Sequence, residues 1–296
     1  MGNGLILPRH PMSHHILHDF GGAGPPLHLA VANGFPPATY APFVAPLLTG
    51  YRAFSLPPRA LWPGIGEPPS RPGTWATLAE DLLAGWSAMH IDRLVAVGHS
   101  YGGVASLLAA VREPERFRAL VLLDPTIFPP RVMAEIAEQR RRGEPARFDL
   151  VEGARRRRAR FASVDQAFAF WRERPLFRLW PDETLRRYAE SMTRPASDGD
   201  GVELTWSGAW EAFYYESFYA ETWTDAKRLS PDIPLLVIAG ETSTTLLPEA
   251  VEEMRRVWPW ATIETIPGHG HLFPQEVGAA AGEMVGEWLR AMGGER

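Results

Sequence analysis

The sequence predicts an α/β fold, a mostly parallel sheet with helices on both faces. Two observations carry this expectation. Short apolar, β-branched runs alternate with segments of helical periodicity, the rhythm of parallel strands joined by crossover helices. That rhythm stops between Thr126 and about Pro231 and then resumes, as it does when an insertion separates two strands of one sheet. At 296 residues the chain is long enough for one large domain carrying such an insertion. The expected division is a core of residues 1–125 and 232–296, interrupted by residues 126–231.

Taken in order, Leu27 to Ala32 reads as a strand, followed by the turn Asn33-Gly34-Phe35-Pro36-Pro37. Tyr40 to Leu48 has apolar residues at helical spacing, and Arg52 to Leu56 is the next strand. It runs into a Pro/Gly-rich loop, Pro57 to Gly73, that carries Trp62. Thr74 to Met89 is a helix with a good start signal. A strand at Arg93 to Val97, a helix at Val104 to Val111 and a strand at Ala119 to Leu123 follow. Asp124-Pro125 closes that last strand. The insertion shows charged and aromatic helical patterns and no clear buried strand. Strands resume with Pro234 to Gly240 and Thr262 to Ile266, with helices at about Pro248 to Val257 and Gln275 to Met292.

Composition narrows the function classes. A net charge of -5 gives no global signal for nucleic acid, and 45% hydrophobic residues is ordinary for a packed globule. There is no cysteine, so disulfides, thiolate chemistry and Cys-based metal sites are all excluded. The N-terminal stretch lacks the apolar core of a signal peptide, and no apolar run approaches the roughly 18 residues of a membrane span. A soluble cytoplasmic protein is the expectation. His14, His15 and His18 are expected to alternate along an early strand rather than to bind metal. The sequence carries no signal for an oligomeric state.

The segment richest in chemistry is Gly98-His99-Ser100-Tyr101-Gly102-Gly103, between the Arg93–Val97 strand and an Ala/Leu-rich helix. In that context G-x-S-x-G is a nucleophile elbow. The backbone turns sharply from strand to helix, and glycines stand where a Cβ would clash. Ser100 is then held at the apex, with a helix N-terminus behind it that favours developing negative charge.

On three motifs the chain resembles the α/β-hydrolase superfamily: a residue-Gly-aromatic-Pro turn after an early strand, this elbow, and a late Gly268-His269-Gly270-His271. The resemblance implies a Ser-His-acid site under a helical cap formed by residues 126–231. It gives His271 the catalytic role, with His269 in the variable position. His271 would take the Ser100 proton and return it to the leaving group. Family members commonly carry an Asp shortly after the glycine closing the next-to-last strand. Here that stretch reads Gly240-Glu241-Thr242-Ser243-Thr244-Thr245, and hydroxyls occupy the expected positions. Asp124, at the carboxyl end of the strand after the elbow, is the expected acid, because some family members draw it from there and site residues converge at such strand ends. Glu241 is the alternative. Both satisfy the chain order Ser, acid, His.

The resemblance further implies an oxyanion hole from the backbone N–H groups of Tyr101 and Phe35, with Asn33 standing where the family often has His. Asn33, Trp62 and Trp210 are candidate substrate-binding residues. The insertion is crowded with aromatics that serve as cap core, some of them lining an apolar pocket. The arginine runs 140–142 and 155–158, with Arg160, read as solvated helix faces, with a cationic rim as the alternative. The implied activity is hydrolysis of a small-molecule apolar ester, lactone or related acyl bond through an acyl-serine, with no metal or organic cofactor required. The alternatives are carbon–carbon bond hydrolysis or cofactor-free haloperoxidase-type chemistry on the same triad, or a non-catalytic ligand-binding protein of this fold.

Overall fold

The structure, a computed structural model, describes residues 17–142 and 149–293, so His14 and His15 lie outside it. Seven strands form one sheet: β1 (His18–Gly21), β2 (Pro26–Ala30), β3 (Arg52–Ser55), β4 (Leu94–His99), β5 (Phe117–Leu123), β9 (Leu235–Gly240) and β10 (Thr262–Ile266). Their order is β1-β3-β2-β4-β5-β9-β10. β1 pairs antiparallel with β3, and every other neighbouring pair is parallel. Every residue of β4 and β9 is buried, which is why these strands read as unbroken apolar runs. Edge strand β10 carries exposed Glu264 and Thr265, polar groups that blunt an open sheet edge.

The topology places the site. From β2 the chain crosses outward to β3 and then returns to the other side of β2 as β4. The strand order reverses between β2 and β4, and the connections leaving their carboxyl ends diverge there to open a crevice. Register makes those ends level, with Ala30 opposite Gly98, His99 opposite Leu123 and Leu123 opposite Ile238.

Three elements differ from the sequence expectation. The segment expected as one helix over Tyr40–Leu48 is a chain of short turns: Pro37–Tyr40, Ala41–Val44 and Ala45–Leu47. Pro37, Pro42 and Pro46 each start a turn and cannot continue one, because proline lacks the N–H and clashes with the preceding turn. The last helix is split into Phe273–Glu276 and Gly278–Gly293, broken at Val277 with φ -128° and ψ 41°. The insertion is also not purely helical. Beside helices such as Pro130–Arg141, Val164–Arg172, Asp182–Met192 and Gly208–Glu216 it holds an antiparallel sheet of β6 (Arg160–Phe161), β8 (Val202–Leu204) and β7 (Thr193–Pro195). Strands of two or three residues are too short for a period-2 signal to emerge.

The buried core runs without a break from the sheet into the insertion. Trp171, Phe177, Trp180 and Tyr188 pack edge to face or tilted, with Trp171 and Tyr188 centroids 4.8 Å apart. The insertion is fastened to the core by Trp75 Nε1–H donating to Tyr214 O at 2.7 Å and Trp258 Nε1–H donating to Ala226 O at 2.8 Å. No described helix is long and apolar enough to cross a membrane.

His28, in the middle of β2, gives the fold a pH dependence. It is fully buried between Phe54 and Trp86, and its Nε2 accepts Leu56 N–H at 3.1 Å. Burial pushes its pKa from 6.5 down to about 3. The unfolded chain therefore binds a proton below pH 6.5 that the folded chain refuses, and stability falls as pH falls through that window. The slope is about 1.4 kcal/mol per pH unit, or about 2 kcal/mol between pH 7.5 and 5.0 from this residue. Urea unfolding of wild type and His28→Gln at both pH values checks this, and equal pH slopes in the two proteins would rule it out.

Candidate active site

β4 ends at His99 and the helix Tyr101–Arg112 begins two residues later, leaving Ser100 alone at the turn with φ 59° and ψ -125°. For a non-glycine residue such a conformation costs on the order of 1–3 kcal/mol and survives only when its surroundings over-determine it. They do so here. Ser100 N–H donates to Leu123 O at 3.1 Å, and Ser100 O accepts from the N–H groups of Gly103, Val104 and Thr126 at 3.0, 3.3 and 3.2 Å. The flanking glycines are sterically required. A Cβ on Gly98 would lie 2.5 Å from Gly102 O, and one on Gly102 would lie 2.5 Å from both Ala30 O and Val31 O.

Three side chains meet at this turn. Ser100 Oγ lies 3.0 Å from His271 Nε2, and His271 Nδ1 lies 2.7 Å from Asp124 Oδ1. A carboxylate only accepts, so Nδ1 carries the imidazole proton and Nε2 accepts the Ser100 hydroxyl. Asp124 is completely buried at the end of β5, itself at positive φ of 39°. Its charge is compensated by three donors: His271, Gly240 N–H at 2.8 Å and the Ser243 hydroxyl at 2.6 Å.

Glu241, the alternative acid, is exposed and points elsewhere. Its Oε2 accepts Gly268 N–H at 2.7 Å, which buttresses the turn before His269. His269 pairs separately, with its Nδ1 2.7 Å from Glu276 Oε2.

Four partners of this site were not anticipated from the sequence. Ser243 holds Asp124 from within the hydroxyl run after Gly240. Thr126, two residues after Asp124, places its Oγ1 2.9 Å from Ser100 Oγ. Tyr40 and His99 form a buried chain. Ala32 N–H donates to Tyr40 OH at 2.8 Å, Tyr40 O–H donates to His99 Nδ1 at 2.7 Å, and His99 Nε2–H donates to His271 O at 2.8 Å. Burial and the neighbouring His271 hold the His99 pKa well below 6.5, so it stays neutral in this chain. The available signal was the position of His99 inside the elbow motif itself.

The turn after β2 lies across from Ser100. Gly34 sits at φ 82°, and Phe35 N–H donates to Ala32 O at 3.2 Å to close the turn. Tyr101 opens its helix, where the first N–H groups have no intrahelical acceptor. Asn33 is buried and ties the turn to the insertion, its Nδ2–H donating to Glu211 O at 2.9 Å. Phe35 packs against Trp180 and Tyr188 with centroids 5.8 and 5.9 Å away. Trp62 donates Nε1–H to Pro57 O at 2.9 Å and lines a small cavity with Leu56, Leu78, Tyr101 and Gly102, to which Ser100 does not contribute. Trp210, the third candidate substrate-binding residue, is buried and donates Nε1–H to Gly66 O at 2.7 Å, pinning the Pro/Gly-rich loop.

Four of the eight arginines in these runs are exposed and paired: Arg141 and Arg142 with Glu138, Arg155 with Glu152 and Glu216, Arg160 with Asp198. Exposed pairs of this kind contribute little stability. Arg157 differs. It is largely buried, pairs with Glu211 and donates to Tyr188 OH, beside the Asn33-Gly34 turn. Burial pulls its pKa down, but Tyr188 and Glu211 outweigh that and raise it above the ordinary value.

A family model described as the alpha/beta hydrolase fold matches residues 40–276. No curated protein sequence matches the chain. Among solved structures it is similar to E-2-(acetamidomethylene)succinate hydrolase, with a TM-score of 0.72 at 18% identity over 93% of this chain and 94% of that one. It is also similar to the enol-lactonase from Burkholderia xenovorans LB400, with a TM-score of 0.62 at 19% identity over 93% and 95%. A thermophilic esterase from Thermogutta terrifontis gives 0.60 at 23% identity over 93% and 92%. At these identities the shared property is the fold.

Proposed function

Because the chain belongs to the α/β-hydrolase fold family, matched over residues 40–276, we propose that it is a serine hydrolase that cleaves a carboxylic ester, lactone or related acyl bond. The observation that carries this reading is the hydrogen-bonded series from Ser100 Oγ through His271 to buried Asp124, at 3.0 and 2.7 Å.

Ser100 Oγ attacks the acyl carbon while His271 Nε2 takes its proton, and the developing imidazolium is stabilised by Asp124. The carbonyl oxygen gains charge and is met by Tyr101 N–H and, from the turn after β2, Phe35 N–H, which exchanges its bond to Ala32 O for the oxyanion. His271 returns the proton to the leaving oxygen, and the acyl group remains on Ser100. Water then attacks with His271 as base, and the Ser100–acyl bond breaks.

The insertion acts as a cap in this scheme. Its aromatics meet the core at Phe35 and Tyr101, where Tyr214 approaches to 5.4 Å, so the substrate is a small molecule with an apolar part. The acyl bonds named for similar structures, those of an enol-lactonase and an esterase, are consistent with this class.

The test is hydrolysis of p-nitrophenyl acetate, butyrate and octanoate together with labelling by a fluorophosphonate. Rapid labelling at Ser100 and turnover with a chain-length preference are expected. If Ser100 resists the fluorophosphonate and no ester turns over, the protein binds rather than cleaves its ligand.

A further inference from the structure

The loop that supplies the acid also delivers a hydroxyl to the nucleophile. Asp124-Pro125-Thr126 leaves β5 with Asp124 N–H bonded to Ile238 O at 2.7 Å, and Thr126 N–H returns to Ser100 O at 3.2 Å. The main chain thus fixes Thr126 against the elbow, and its Oγ1 stands 2.9 Å from Ser100 Oγ. The same short turn brackets the Ser100–His271 pair from both sides, with a carboxylate at Nδ1 and a hydroxyl at Oγ.

The direction of the Thr126 bond follows from a proton count. Ser100 has one hydroxyl proton, and His271 Nε2 takes it at 3.0 Å. Thr126 O–H is therefore the donor and Ser100 Oγ the acceptor. A donor aimed at a nucleophilic oxygen does little for its attack, because it meets similar electron density in the free hydroxyl and in the acylation transition state. In the acyl-enzyme the situation changes. Oγ is then the alkoxy oxygen of an ester, a poor acceptor. When water has added to the acyl carbon and the carbon–Oγ bond breaks, the electron pair returns to Oγ as His271 Nε2–H delivers the proton. The Thr126 bond strengthens along that step, and only interactions that strengthen toward the transition state accelerate it.

We propose, resting on the acyl-serine reading above, that Thr126 is a catalytic residue of deacylation, donating a hydrogen bond from its hydroxyl to Ser100 Oγ as that oxygen leaves the acyl group and takes its proton from His271. Acylation is insensitive to it.

The experiment is rapid-quench kinetics with p-nitrophenyl butyrate on wild type, Thr126→Val and Thr126→Ser. p-Nitrophenol release reads acylation, and intact-protein mass reads the rise and decay of butyryl-Ser100. Valine keeps the shape of threonine without the donor, and serine keeps the donor. Thr126→Val is expected to acylate within about twofold of wild type and deacylate about tenfold more slowly. kcat and KM then fall together with kcat/KM held, and Thr126→Ser restores the wild-type rate. Equal deacylation in Thr126→Val and wild type overturns the proposal. So does an equal slowing of both steps, which marks a packing role. If wild type forms no butyryl-enzyme and its Ser100 resists a fluorophosphonate, the acyl-serine reading fails and this proposal falls with it. Failure of Thr126→Val to slow deacylation in a wild type that does form butyryl-Ser100 overturns this proposal alone.

Discussion

Ser100→Ala is expected to lower kcat on p-nitrophenyl butyrate by about a million-fold, and His271→Ala by a similar factor. The effects are not additive, because the two act as one unit. Once Oγ is gone, His271 Nε2 has no hydroxyl proton to take, and once Nε2 is gone the Ser100 hydroxyl keeps its proton. The double variant should therefore be no slower than either single one. Steady-state rates of all three variants, with purification controls for contaminating esterase, provide the check. A double variant slower by the product of the two single losses would mean that serine and histidine act in separate steps. Alanine at position 100 carries the same Cβ into the same positive φ as serine, so the variant should keep its fold.

Asp124→Asn is the second large effect, with an expected loss of about ten-thousand-fold in kcat. The amide replaces an acceptor with a group that donates from one side. Asp124 Oδ1 receives both His271 Nδ1–H and the Ser243 hydroxyl, while Oδ2 receives Gly240 N–H. An asparagine satisfies these three donors only partly. Whichever way its amide turns, it confronts a donor with a donor or takes the Nδ1 proton's place and flips the imidazole tautomer. Glu241→Gln is expected to leave kcat within about twofold, because among the described residues its carboxylate bonds only Gly268 N–H and the residue is exposed. Comparing the two variants on one ester discriminates the acids directly. A large loss in Glu241→Gln beside a mild one in Asp124→Asn would transfer the acid role to Glu241.

The elbow was legible in the sequence because its strand, turn and helix are contiguous in the chain. A strand, one residue at positive φ and a helix follow each other directly, and the glycines at 98 and 102 are dictated by backbone atoms of the turn itself and of the adjacent β2. The parallel strands of the sheet were legible for a related reason. Parallel strands buried on both faces leave continuous apolar runs, and these need no partner to be recognised. The prolines at 37, 42 and 46 are equally visible, and they break the helix expected over Tyr40–Leu48 into three short turns. The β6-β8-β7 sheet left no periodic trace at all.

By itself the sequence determined the fold class, the strand-to-helix turn at Ser100 and the candidate histidine after the last strand, since each depends on residues adjacent in the chain. Only the tertiary structure decided which carboxylate faces His271. Asp124 and Glu241 both precede it in the required order, and the choice rests on a hydrogen bond between residues 147 positions apart. It likewise decided that Trp210 packs the Pro/Gly-rich loop, that His99 and Tyr40 connect the turn after β2 to the backbone of His271, and that Thr126 touches the nucleophile. Such contacts are set by how strands from distant parts of the chain align at one end of a sheet, and no local pattern of residue types encodes that alignment.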